Sequence, residues 1–269
     1  MPFLVRDGCR IYWRIDGKPG LPVLVLGNSL GTDLHMWHPV LDALTRRFRV
    51  VRTETRGHGA SGVPAGDYTL GDLGCDVLAV CNHLNIERFA FCGLSLGAMV
   101  GQWLALEVPR RLTSLVLANG AAYLPPRESW DNRIALVRDK GMGALVDLVM
   151  PRFFSDDYRA RDEALYHSMR TTFVQTEPQG YGGCCAAIRD ADFRGRLGAI
   201  RTPTLVIGGA KDSATPPEPF SAELAAGIPG ARRVTLDAAH ISSVEQPEAF
   251  AAAVVDFLTS STQLQEQPL

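Results

Sequence analysis

Short apolar runs alternate with longer stretches of helical period along most of the chain. Residues 3–6 and 10–15 flank Asp7-Gly8, a dipeptide suited to a primed two-residue turn, and are expected to pair as a hairpin. Residues 22–26 form an unbroken apolar run, as expected of a strand buried on both faces. Residues 48–53, 88–92, 113–117, 203–207 and 232–236 read as further strands. Between them, residues 36–46, 70–84, 96–107, 220–227 and 247–258 carry apolar positions at helical spacing. Strands alternating with helices predict an α/β fold: a mostly parallel sheet covered by helices on both faces.

One stretch breaks this rhythm. From about Ala121 to Asp192 no buried strand is evident, and helical patterns at 130–140, 142–150, 157–173 and 181–189 are punctuated by Pro125-Pro126, Pro151 and Pro178. A connection of this length needs structure of its own and is often a lid. The expected organisation is a core of residues 1–120 and 193–259, a helical cap of residues 121–192 inserted between two strands, and a loose polar tail of residues 260–269.

Composition narrows the function classes. With 46% hydrophobic and 21% charged residues, the chain can bury a sizeable core. A formal net charge of −2 gives no reason to expect nucleic acid or an anionic membrane as partner. No apolar run is long enough to span a bilayer, and residues 1–14 carry charges too early for a secretory leader. Cys9, Cys75, Cys81, Cys92, Cys184 and Cys185 lack the paired spacing of a zinc site. They are expected to be reduced thiols, which points to a cytoplasmic protein without a metal or other cofactor.

The chemistry centres on Gly93-Leu94-Ser95-Leu96-Gly97, a G-x-S-x-G pattern. A serine on a sharp strand-to-helix turn needs small neighbours two positions away, so that strand and helix can approach. The apolar run before the pattern and the helical period after it supply that context, and the helix N-terminus aims its dipole at the site. A serine hydroxyl needs a base within hydrogen-bond reach. Only His167 and His240 follow Ser95; His167 lies within a cap helix, whereas His240 follows the last strand, at the sheet edge where parallel sheets bind ligands. The acid expected to hold the imidazole is Asp212, after the strand at 203–207, rather than Asp237, which lies too close to His240 in sequence. For an oxyanion, the expected donors are the backbone N–H groups of Leu96 and of Leu30, the latter in the Gly27-Asn28-Ser29-Leu30-Gly31 loop. Arg56-Gly57-His58-Gly59 lacks phosphate-loop spacing, and His58 is expected to shape that turn.

Taken together, the elbow, the Arg56–Gly59 turn, Asp212 and His240 resemble the α/β-hydrolase superfamily across nearly the whole chain. More narrowly, Asn28-Ser29-Leu30-Gly31-Thr32-Asp33 followed by Met36-Trp37, and the stretch from Tyr181 to Asp192, resemble 3-oxoadipate enol-lactonases. The chain departs from the wider superfamily at Asn28-Ser29, where many esterases have His-Gly, and at Glu54, where Asp is usual. The resemblance implies hydrolysis of the enol-lactone of 3-oxoadipate in aromatic catabolism, with a small anionic lactone as partner. Its carboxylate needs a cation, because an unpaired buried charge is costly. Arg133 is the expected cation, with Trp130 walling the pocket about one helical turn away and Arg138 and Arg189 as rivals. The same triad serves carbon–carbon bond hydrolases, small carboxylesterases and perhydrolases, and a small-molecule receptor could keep the fold without the reaction.

Overall fold

The computed structural model describes residues 2–265, with side chains through Ser260. Its eight strands are β1 (Phe3–Arg6), β2 (Cys9–Asp16), β3 (Val23–Gly27), β4 (Arg49–Thr53), β5 (Phe89–Leu94), β6 (Leu112–Ala118), β7 (Thr204–Gly209) and β8 (Arg232–Leu236). They form one sheet in the order β1-β2-β4-β3-β5-β6-β7-β8. The β1–β2 and β2–β4 pairs are antiparallel, and every pair from β4–β3 to β7–β8 is parallel. The central strands β3, β5 and β6 are almost wholly buried, which explains their unbroken apolar runs.

The core helices are α1 (His38–Thr45), α2 (Leu70–His83), α3 (Leu96–Glu107), α9 (Ala222–Gly227), α10 (Ser242–Glu245) and α11 (Pro247–Gln265). α2 begins at a capping box, in which Thr69 and Asp72 exchange side-chain-to-backbone hydrogen bonds. A 3-10 turn, Leu34–Trp37, replaces the first part of the helix expected at 36–46. α10 has no counterpart among the sequence expectations, since four residues are too few for a periodic signal. α11 runs to Gln265, into the stretch expected as a loose tail; residues 266–269 lie outside the described residues.

Between β6 and β7 lie α4 (Arg127–Lys140), α5 (Val146–Phe153), α6 (Asp156–Arg161), α7 (Glu163–Gln175) and α8 (Pro178–Arg189). The two ends of this insertion meet: Tyr123 bridges Asp192, and Phe193 N–H donates to the Ala122 carbonyl at 2.9 Å. The single helix expected at 157–173 is two helices. Asp162 leaves helical conformation at φ −135° and its carboxylate caps α7 through Leu165 N–H, an arrangement whose local hydrogen bond outcompetes continuation of the helix. α5 continues through Pro151 to Phe153 instead of ending there. α8 seats on the core by backbone approach. A Cβ on Gly57 would lie 2.3 Å from Gly180 Cα, so only glycine at both positions permits the contact. Tyr68 N–H also donates to the Gly183 carbonyl.

Candidate active site

Because β3, β5, β6, β7 and β8 run parallel, their carboxyl ends share one edge of the sheet, and each loop leaving that edge carries a site residue. The β3 loop carries Ser29 and Leu30, β5 leads into Ser95, β6 into Asn119, β7 into Asp212 and β8 into His240. The crevice lies where the chain changes direction: β3 leads to β4 on one side, and β5 returns to its other side.

Ser95 caps α3 at φ 57° and ψ −111°, a left-handed backbone rarely adopted by non-glycine residues. The turn is held by Ser95 N–H donating to the Ala118 carbonyl at 2.9 Å. Its tightness explains the flanking glycines: a Cβ on Gly93 would lie 2.1 Å from the Gly97 oxygen, and one on Gly97 would lie 2.2 Å from the Gly27 oxygen. Leu96 opens α3, so its N–H has no intrahelical acceptor. Among the described residues, neither that N–H nor the one of Leu30 has a hydrogen-bond partner.

Asp212 and His240 are both buried, and His240 Nδ1 lies 2.8 Å from Asp212 Oδ2. Asp212 Oδ1 accepts from the backbone N–H groups of Ala214 and Thr215 at 2.8 and 2.9 Å. Its Oδ2 also accepts from Asn119 Nδ2 at 2.9 Å and from the Thr215 hydroxyl at 2.7 Å. Burial alone would raise the carboxyl pKa, but the His240 ring and these donors outweigh it and hold Asp212 well below the usual carboxylate range. With Nδ1 committed to Asp212, Nε2 is the nitrogen left for chemistry. Ser95 and His240 line the same cavity, together with residues of α4 and α5. Ser95 Oγ has no hydrogen-bond partner among the described residues.

Two supports were not read from the sequence. Asn119 donates to Asp212 and to the Ala239 carbonyl at 3.3 Å, and its Oδ1 accepts from Ser242 Oγ, so it ties the acid loop to the histidine loop. Glu245, buried, accepts from Ala239 N–H at 3.1 Å and from both the hydroxyl and the N–H of Ser155, which caps α6. Only tertiary contacts reveal these two. Thr215, by contrast, stands three residues after Asp212, a spacing at which an aspartate commonly caps its own turn. Of the competitors, Asp237 is exposed and pairs with Lys211, and His167 is exposed and lies 3.3 Å from Glu163.

The Leu30 loop is braced from below. Gly31 N–H donates to His58 Nε2 at 3.0 Å, which places the ring proton on Nδ1, facing the Arg56 carbonyl. Burial lowers the His58 pKa to about 4, so the ring is a neutral acceptor. Glu54 Oε1 accepts from Leu34 N–H at 3.1 Å, while Oε2 is buried without a partner. Burial foremost raises the Glu54 pKa to about 8; the Leu34 donor only partly offsets it. A carboxyl whose folded pKa is raised adds stability below its unfolded value, and that stability drains as pH rises toward the folded value. Stability should therefore fall by about 4 kcal/mol from the mid-4 range to pH 8 on this account. Glu54→Gln should flatten that slope, melting near wild type at pH 5 and above it at pH 9. Parallel pH–Tm curves for the two proteins would dismiss a neutral Glu54.

Trp130 and Arg133 line the cavity, with the guanidinium 4.7 Å from the indole centroid and Nη1 3.4 Å from the Tyr181 hydroxyl. Arg138 and Arg189 do not line it. Arg138 pairs with Asp67, and Arg189 with Asp67, Asp131 and Asp190. Arg152 does line it, and was missed because Pro151 marked that stretch as a break. Among the described residues, no group of His, Cys, Asp and Glu is arranged to hold a metal, and no helix is long and apolar enough to cross a membrane. The arrangement has the parts for acyl transfer: a strained hydroxyl, an imidazole oriented by a carboxylate, and free N–H donors.

Comparison with known proteins agrees with this fold. A family model for the alpha/beta hydrolase fold matches residues 22–247. The chain is 37% identical to 3-oxoadipate enol-lactonase 2 of Acinetobacter baylyi, covering 88% of this chain and 89% of that one. The crystal structure of the enol-lactonase from Burkholderia xenovorans LB400 superposes with a TM-score of 0.94 at 45% identity, covering 96% of this chain and 100% of the other. RutD of Agrobacterium fabrum, named as a carbamate hydrolase, is 32% identical over 94% of this chain and 98% of its own length. The chain belongs to the α/β-hydrolase fold family and, within it, is similar to the 3-oxoadipate enol-lactonases.

Proposed function

We propose that this hydrolase opens the enol-lactone of 3-oxoadipate, a step of aromatic catabolism in the cytoplasm, and that residues 121–192 form the cap over its site. The observation that carries the reading is the pairing of Ser95 and His240 in one cavity with Arg133, which has no carboxylate partner among the described residues. A neutral ester gives such a cation nothing to bind.

Ser95 Oγ attacks the lactone carbonyl while His240 Nε2 takes the hydroxyl proton, and Asp212 stabilises the imidazolium. The N–H groups of Leu30 and Leu96 hold the oxyanion; each such donor is worth roughly a hundredfold or more in turnover. Collapse of the tetrahedral adduct breaks the ring C–O bond. The departing enolate takes the His240 proton and ketonises, and the ring-opened acid stays on Ser95 as an ester. Water then attacks that ester with His240 as base, the C–Oγ bond breaks, and Ser95 recovers its proton. His58 and Glu54 act at a distance, keeping the Leu30 loop in place.

Arg133 grips the substrate carboxylate while Trp130 walls the pocket. A charge-assisted hydrogen bond is worth about 1.5–3 kcal/mol, so Arg133→Ala should raise KM for the anionic lactone about 10- to 100-fold. KM for a neutral aryl ester of similar size should change less than about threefold. Equal effects on the two substrates would remove Arg133 from the anion site. Assaying the same enzyme on a carbamate tests the other activity named among its relatives; a kcat/KM above that for the lactone would replace the proposed substrate.

A further inference from the structure

The anion chemistry of the cavity is larger than its substrate needs. Two arginines line it, Arg133 on α4 and Arg152 in the last turn of α5. The enol-lactone carries one carboxylate. Arg152 is half-buried, and among the described residues it makes no hydrogen bond, ion pair or ring contact. Its cap neighbours differ: Arg138 and Arg189 are both spent on aspartates. A half-buried arginine that lines a cavity and has no partner suits a planar carboxylate, which its fork of donors can meet.

The position of Arg152 is set by the residues beside it. Val149, Arg152 and Phe153 fall at helical spacings of three and four and line the cavity together. Phe153 is bound to the histidine loop twice: its carbonyl accepts from Ile241 N–H at 3.1 Å, and its ring stacks on the His240 imidazole with centroids 5.9 Å apart. Two residues on, Ser155 is bound to Glu245. The backbone beside Arg152 is thereby anchored to the histidine loop. Arg133 lies at the other end of a row of rings, from Phe153 to Phe173 at 6.1 Å, then to Tyr181 at 5.7 Å, whose hydroxyl meets Arg133. The two arginines thus reach the same cavity from different helices, Arg133 from α4 and Arg152 from α5.

We propose that Arg152 forms a second anion subsite, taking the carboxylate that appears when the acyl-enzyme is hydrolysed, so that the ligand class matched by the cavity is an unbranched dicarboxylate. This rests on the lactone reading for the identity of the product. Deacylation adds water across the Ser95 ester: the oxygen joins the acyl carbon, Ser95 regains its proton, and the new acid loses its proton to solvent. A ligand that entered with one negative charge leaves with two.

The test is calorimetric binding of adipate and of hexanoate, which share a six-carbon chain and differ by one carboxylate. The wild type should bind adipate at least about tenfold more tightly than hexanoate. Arg152→Gln should bring that ratio to about one, Arg152→Lys should keep part of it, and Arg133→Gln should weaken both ligands. On the unmodified protein, adipate should shield Arg152 from phenylglyoxal, read by peptide mass spectrometry, and hexanoate should not. A wild type without preference for adipate, a ratio unmoved by Arg152→Gln in a variant with wild-type melting, or equal shielding by both acids would overturn the subsite. Lactone turnover is measured separately. If it is absent while the adipate preference still depends on Arg152, the proposed substrate fails and the subsite stands.

Discussion

Ser95→Ala should lower kcat on the enol-lactone by about 10⁵- to 10⁶-fold, while affinity for adipate stays within about threefold of wild type. The size follows from the chemistry. Without the hydroxyl there is no acyl-enzyme, and water must attack the lactone directly, helped only by the free N–H groups and by binding. The fold should survive, since the turn is held by the Ser95 backbone and by the bare approach of Gly93 to Gly97, not by the hydroxyl. Single-turnover kinetics with burst detection give the first number and calorimetry the second. A variant retaining more than about one per cent of wild-type turnover would remove Ser95 as nucleophile. A wild type that binds acids yet turns over no ester or lactone would mark a receptor that kept the fold.

Asp212→Asn should lower kcat by about 10⁴-fold with KM little changed. Asparagine keeps the shape but offers His240 Nδ1 an amide in place of a carboxylate. The ring can then adopt the wrong tautomer, and its protonated form loses the charge that stabilises it. The substitution also disturbs a shared acceptor: Oδ2 meets three donors, from His240, Asn119 and Thr215, and an amide nitrogen there would oppose them. A stability signature accompanies the kinetic one. Because the folded-state pKa of Asp212 is depressed, its ionised form adds stability above the unfolded value of about 3.9, and that contribution is lost as pH falls toward the folded pKa. The Tm deficit of Asp212→Asn should therefore be largest near neutral pH and shrink below about pH 4. A deficit that stays constant down to pH 3 would mean that the carboxylate is not the stabilising form. If Asp237→Asn proved the more damaging change, the acid would have been misassigned.

The sheet was legible from pattern because β3, β5 and β6 are buried on both faces, so burial writes itself as an unbroken apolar run. The elbow was legible for a related reason: glycines on both sides of Ser95 record a backbone contact that tolerates no side chain. Order along the chain then singled out Asp212 and His240, since each follows a strand whose end must reach the same edge. The cap was harder. Its helices were expected, but Asp162 reads as an ordinary polar residue in a helical period, and its role as a cap that splits α6 from α7 depends on where its carboxylate points. Pro151 misled in the opposite sense, since one lost hydrogen bond in a packed helix did not end it.

The linear pattern by itself determined the strands, the strained serine turn and the chain order of Ser95, Asp212 and His240, because these are set by local sterics and by burial repeated along each element. Which cations face the cavity was decided only in three dimensions. Arg133, Arg138, Arg152 and Arg189 are alike as letters, and what separates them is whether an aspartate from another part of the chain has already taken the charge. Asn119 and Glu245 belong to the same class. Their contacts join loops 120 residues apart in one case and the start of α6 to the histidine loop in the other, and hydrogen bonds between distant segments leave no periodic trace along the chain.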